Sequence, residues 1–126
     1  MILTKSVYDK KEESDGLRIL ISRYWPRGVK KDHFDKWDRT LSPPSTLLKQ
    51  YKQGLLSFET FACIFEVCLR THAESWTSIV MASVYPKDIT LLCYEREGKN
   101  CHRYIVKELI ENLALKLKGN LLEVSS

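Results

Sequence analysis

The run Ile89-Thr90-Leu91-Leu92-Cys93-Tyr94-Glu95 decides the fold. It is short and apolar, with Asp88 before it and Gly98-Lys99-Asn100 after it, which predicts a strand buried on both faces in the centre of a sheet. From about Cys101 the period changes to that of a helix, with Ile105, Leu109, Leu113 and Leu117 on one face and a stop expected at Gly119-Asn120. Upstream, Trp76, Ile79, Val80 and Val84 predict a short helix ending before Pro86. Phe58, Phe61, Ala62, Phe65, Cys68 and Leu69 form the clearest amphipathic pattern, with Ser57 as its N-cap. Ser45 is read as the cap of a preceding helix carrying Leu47, Leu48 and Tyr51, which Gly54 closes.

Further back, Phe34, Trp37 and Leu41 stand at helical spacing, so a helix is expected over 30–41 until Ser42-Pro43-Pro44 interrupts it. Leu17-Arg18-Ile19-Leu20-Ile21-Ser22 and Ile2 to Tyr8 read as strands, separated by the charged stretch from Asp9 to Gly16. The second strand runs into Arg23-Tyr24-Trp25-Pro26-Arg27-Gly28. There Pro26 lacks a backbone donor and Gly28 accepts positive φ, so the chain leaves the sheet. Two strands, several helices, a strand and a helix predict a small single α/β domain over residues 1–126, its short, largely parallel sheet flanked by helices.

The bulk properties agree with that reading. The chain has 126 residues and a mass of 14.7 kDa, enough for one domain with its own core. A hydrophobic fraction of 44% and a charged fraction of 29% exclude intrinsic disorder and fibrous architectures. No apolar run approaches the ~20 residues of a membrane span, and Met1-Ile2-Leu3-Thr4-Lys5 does not open a secretory leader, so a cytoplasmic protein without membrane contact is expected. Cys63, Cys68, Cys93 and Cys101 are then free thiols by default. Cys63 and Cys68 fall on the amphipathic helix and are read as core-packing residues, whereas His33 and His72 are read as surface histidines. Charge is uneven: residues 1–53 hold 12 basic and 7 acidic side chains, whereas residues 54–126 hold 8 and 9. That excess is modest beside the dense tracts of dedicated nucleic-acid binders.

Ligands of open α/β sheets bind beyond the carboxyl ends of the strands. Two segments arrive there. Arg23 to Lys31 carries two guanidiniums, two ammoniums and the rings of Tyr24 and Trp25, a set suited to a phosphate or carboxylate on a flat molecule. Cys93 to Arg103 brings thiols, Glu95, His102 and Arg103 to a strand end and a helix start, where the helix dipole attracts anions and favours thiolate. Cys93 or Cys101 is the candidate nucleophile, and His102 or Glu95 the candidate base. Arg23, Trp25, Arg27 and Arg103 are the candidate anion-binding residues. Cys93, Cys101 and His102 also offer soft metal ligands and Glu95 a hard one, but their spacing is not that of common zinc sites, so no metal and no cofactor is assigned.

Arg18-Ile19-Leu20-Ile21-Ser22-Arg23-Tyr24-Trp25-Pro26-Arg27-Gly28-Val29-Lys30-Lys31, then Trp37, Leu41-Ser42-Pro43-Pro44-Ser45 and Ile89-Thr90-Leu91-Leu92-Cys93 resemble the domain-of-unknown-function 488 family, the YeaO-like proteins. The match runs through nearly the whole chain in order, and Trp25-Pro26-Arg27-Gly28 is its most specific element. The resemblance implies no particular activity. Cys93-Tyr94-Glu95 and Cys101-His102-Arg103 are similar to the longer members, where the corresponding elements suggest a shared site.

Two functions remain open at this point. One is an enzyme or small-anion-binding domain for a phosphate- or carboxylate-bearing small molecule, using the Cys93 to Arg103 cluster. The alternative is a non-catalytic nucleic-acid-binding module, with Tyr24 and Trp25 stacking on bases and Arg27, Lys30 and Lys31 on phosphates.

Overall fold

The computed structural model describes residues 2–71, 88–94 and 101–125. Four strands, β1 (Ile2–Ser6), β2 (Leu17–Leu20), β3 (Lys36–Trp37) and β4 (Ile89–Cys93), form one all-parallel sheet in the order β1-β4-β2-β3. The expected α/β architecture is what the chain adopts. β4 pairs along its whole length with β1, from Ile2 against Ile89 to Ser6 against Cys93, and on its other side with β2. All five of its residues are buried, which is why its sequence runs apolar without alternation.

Because side chains alternate across a strand, the sheet has two distinct faces. Ile2, Ile19, Ile21, Ile89 and Leu91 point to one, where they meet α1 (Ser45–Lys52), α2 (Phe58–Arg70) and α3 (His102–Ser125) through Leu47, Phe61, Phe65, Leu69, Val106 and Ile110. Leu20 and Leu92 point to the other, which is covered by irregular chain: Val7 and Phe34 complete that core, with Val29, Trp37 and Tyr94 at its margin. The described helices pack on the first face.

The helix expected over 30–41 does not form. Two 3-10 turns, Lys31–His33 and Arg39–Leu41, bracket the short strand β3 instead. The backbone N–H groups of Asp35 and Asp38 donate to Arg18 and Leu20 of β2, and Asp38 accepts from the N–H of Thr40. The Asp38 side chain satisfies a backbone group locally, and that of Asp35 accepts from the Arg18 N–H of β2, both of which compete with a helix. Phe34 and Leu41 therefore serve opposite faces of the sheet.

The first two strands end at Ser6 and Leu20, short of the expected Tyr8 and Ser22. Ser57 caps α2 through the N–H of Thr60, but Pro44 stands at the cap of α1 and Ser45 is its first residue. α3 passes through Gly119-Asn120 to Ser125. Cys63 is exposed, Cys68 half-buried, so Cys63 is not a core residue. The helix expected around Trp76 to Val84, and His72, lie outside the described residues. No helix among the described residues is long and apolar enough to cross a membrane.

Candidate functional site

The carboxyl ends of β2 and β4 and the start of α3 meet on the helical side of the sheet. Ile21 extends the β2 ladder by donating to Leu92 O at 3.0 Å. In a parallel pair the Ile21 carbonyl would next accept from β4, but β4 ends at Cys93, and His102 Nε2 takes that place 2.6 Å from Ile21 O. A carbonyl only accepts, so Nε2 is the donor in this contact. Nδ1 lies 3.6 Å from Cys93 Sγ and 3.8 Å from Cys101 Sγ, and the two sulfurs are 2.6 Å apart. The ring of Phe65 packs edge-on against the imidazole, with centroids 5.7 Å apart. Cys93, Cys101 and His102 are all buried.

Arg103 adds charge to this cluster and is itself fully buried, donating to the Tyr104 hydroxyl at 3.1 Å. Burial alone would push its guanidinium below the ordinary value. The Tyr104 hydroxyl and the charges of Cys101 and Cys93 reverse this and hold it above. A buried guanidinium thus feels the charge of two sulfurs, and the imidazole lies against both, the Cys93 sulfur standing over the ring at 3.6 Å from Nδ1 and 3.8 Å from Nε2. Such a centre can favour thiolate, relay a proton, or hold a soft cation.

A cleft of about 180 Å³ opens on the other side of Phe65, lined by Arg23, Arg39, Ser42, Phe65, Cys68 and Leu69, with Thr40 and Pro44 at its margin. Arg23 leaves the end of β2 two residues after Ile21, and its guanidinium donates from Nε to Pro43 O at 3.0 Å. Arg39 stacks over the Trp37 ring at 4.0 Å. Two guanidiniums and an apolar wall suit a small anion bearing a hydrocarbon part.

The structure thus gathers Cys93, Cys101, His102 and Arg103, and it places Arg23 in the adjoining cleft. Glu95 lies outside the described residues. Trp25 and Arg27 belong to the opposite face. The Trp25 ring meets Phe34 and Trp37 edge-on and its Nε1 donates to Val29 O, while the carbonyl of the exposed Arg27 accepts from the Tyr8 hydroxyl. Trp25-Pro26-Arg27-Gly28 is therefore a fastening of the loop over the face that carries Leu20 and Leu92, closed at Gly28 with φ 78°.

The family model described as "Active DUF488-N3 subclade" matches residues 2–114. The chain belongs to the DUF488 family. The uncharacterized protein YeaO of Escherichia coli K12 is 31% identical over 115 residues, spanning 89% of this chain and 98% of that protein. The uncharacterized protein Rv3073c of Mycobacterium tuberculosis H37Rv is 31% identical over 62 residues, 48% of this chain and 52% of that protein. No solved structure matches.

Sequence reasoning passed over two features of this DUF488 chain. Arg39 reaches the cleft because β3 and the turn after it replace a helix, so its place was hidden by the wrong period. Arg18 is fully buried in β2, bound to the Asp15 carboxylate, to His33 O at 2.9 Å and to the His33 ring at 3.2 Å; Lys5 reaches the same carboxylate at 2.8 Å. His33 is accordingly a half-buried partner of Arg18 rather than a surface histidine. A lone charge inside Leu17-Arg18-Ile19-Leu20-Ile21 was the signal, since a buried charge requires partners.

Proposed function

We propose that this DUF488 protein is an enzyme for a small phosphate- or carboxylate-bearing molecule, with its chemistry at the sulfur–imidazole centre of Cys93, Cys101 and His102. The observation that carries the reading is the His102 Nε2 contact with Ile21 O, which holds the imidazole against both sulfurs, within 3.8 Å of each. Buried polar groups cost stability unless paired, and a ring held in one orientation against two thiols serves reactivity better than packing. Arg23 and Arg39 supply the anion's contacts in the cleft that shares Phe65 with His102.

Calorimetric titration with inorganic phosphate and with phenyl phosphate at low salt tests this reading. Saturable binding is expected, weakened about tenfold or more by Arg23→Ala and by Arg39→Ala, the effect of one charge-assisted contact. Arg27→Ala is expected to leave it unchanged. Absence of binding, or binding indifferent to both cleft substitutions, sinks the reading.

The alternative, a nucleic-acid-binding module, draws on the exposure of Tyr24, Arg27, Lys30 and Lys31 along one loop. The Trp25 ring is fastened edge-on against Phe34 and Trp37 and keeps part of its surface exposed. Affinity that rises with oligonucleotide length and falls steeply with salt marks this alternative.

A further inference from the structure

We propose that Cys93, Cys101 and His102 together bind one soft divalent cation, zinc by preference, leaving one coordination position open. The proposal rests on the reading above in that it assigns the same three side chains, and it changes their use from free thiols to ligands.

The donor set comes first. Two thiolate sulfurs and one imidazole nitrogen match the soft-to-borderline preference of zinc, and catalytic zinc sites keep three protein ligands with the fourth position for water or substrate. Among the described residues this is the group of three able to converge on one ion, with all three donor atoms within 4.8 Å of one another.

The distances follow. Zinc–sulfur bonds of about 2.3 Å and zinc–nitrogen bonds of about 2.05 Å at a tetrahedral angle put sulfur and nitrogen about 3.6 Å apart and two sulfurs about 3.8 Å apart. The sulfur–nitrogen separations to Nδ1 are 3.6 and 3.8 Å, of the required length, but Cys93 Sγ also lies 3.8 Å from Nε2, over the ring, and has to swing toward the Nδ1 side to share an ion with it. The sulfurs, at 2.6 Å, sit inside the edge they would share and need to open by about 1 Å, within reach of a small side-chain rotation.

The surroundings supply what a ligating histidine needs. Metal-bound imidazoles give their second N–H to a carbonyl or carboxylate, which fixes the ring and strengthens the donor, and Ile21 O does this for His102. Cys93 comes from a central strand and Cys101 immediately precedes α3, so rigid elements carry the ligands. Two thiolates neutralise a divalent cation, and the buried Arg103 guanidinium then leaves the centre with one positive charge. An anion is therefore the preferred occupant of the open position, which joins the centre to the substrate class of the cleft.

Cobalt serves as the optical probe. Reduced full-length protein, freed of metal with a chelator under anaerobic conditions, is titrated with Co²⁺ and then Zn²⁺. One Co²⁺ per chain is expected, with an intense thiolate-to-cobalt charge-transfer band that Zn²⁺ displaces. Cys93→Ser and Cys101→Ser should each lose most of that band, whereas Cys63→Ser and Cys68→Ser should keep it. Because loss of a buried side chain from the first pair can unfold the chain, the wild type is read independently. A mercurial that caps its thiols should release one zinc per chain from the zinc-loaded protein, as recorded by a metallochromic dye. No band, no released zinc, or recovery of a Cys93–Cys101 disulfide that excludes metal overturns the proposal. Phosphate titration of the metal-free and zinc-loaded forms separates the two readings: retained binding that still depends on Arg23 and Arg39 leaves the anion enzyme standing when metal fails, and a cobalt band without anion binding does the reverse.

Discussion

His102 Nε2 and the carbonyl oxygen of Ile21 lie 2.6 Å apart, so a side chain from the first turn of α3 completes the hydrogen bonding of β2 where β4 has run out. His102→Ala removes the donor and strands a buried carbonyl beside a small void. It should cost about 2 kcal/mol in the chelator-treated, reduced protein. Urea unfolding at neutral pH measures it; a loss under 0.5 kcal/mol means the contact adds nothing to the fold.

Asp15 sits beneath Arg18 and Lys5. Burial by itself would raise its carboxyl, but bonds from Lys5, the Glu12 backbone and Arg18 hold it below the ordinary 3.8. A depressed folded-state value means that its contribution is complete above about pH 4 and disappears as the pH drops through the lower folded value. Asp15→Asn should cost about 3 kcal/mol at pH 7, the scale of breaking a buried ion pair, and should flatten the acid limb of the stability curve. Equal acid limbs in the two proteins would contradict this.

Gly16 turns into β2 with φ 65°, and a Cβ there would stand 2.1 Å from the carbonyl oxygen of Asp88, which accepts from Leu17 N–H. The obstacle is backbone on the central strand's approach, so it cannot swing aside. Gly16→Ala should lose about 3 kcal/mol. Gly28→Ala, at φ 78° with nothing within 4 Å, should lose only about 1 kcal/mol. Thermal unfolding of the pair gives the comparison, and equal losses would remove the clash as the cause.

Cysteine burial orders the thiols by reactivity. Iodoacetamide at neutral pH should label exposed Cys63 first, half-buried Cys68 more slowly, and buried Cys93 and Cys101 last. Peptide mass spectrometry along a time course reads this order directly. Prompt labelling of Cys93 in the native protein would mean that the centre opens to solvent on the labelling timescale.

Much of this arrangement was legible in the sequence. The unbroken apolar run of β4 announced a central strand, and the phenylalanine spacing of α2 announced a helix, because burial on two faces and on one stripe leave different periods. The Cys93 to Arg103 cluster was legible as chemistry, since thiols, imidazole and guanidinium fall at a strand end and a helix start. What stayed hidden depends on contacts between distant segments. Phe34, Trp37 and Leu41 imitate a helix face, and only the hydrogen bonds of Asp35 and Asp38 to β2 show that they do not form one. Nor does spacing reveal that Trp25 turns to Phe34 and away from His102, or that Arg39 joins Arg23.

The place of β4 carries a consequence for how the chain is made. β1 and β2 are each paired along β4 and not to each other, so β1 has no neighbour in the described sheet until β4, made much later, has emerged. Until residue 89 emerges, the ladder open to the nascent chain within the described sheet is the two-residue pairing of β2 with β3. An incomplete chain thus lacks both the middle strand of that sheet and the sulfur–imidazole centre, since Cys93, Cys101 and His102 are all made with or after β4.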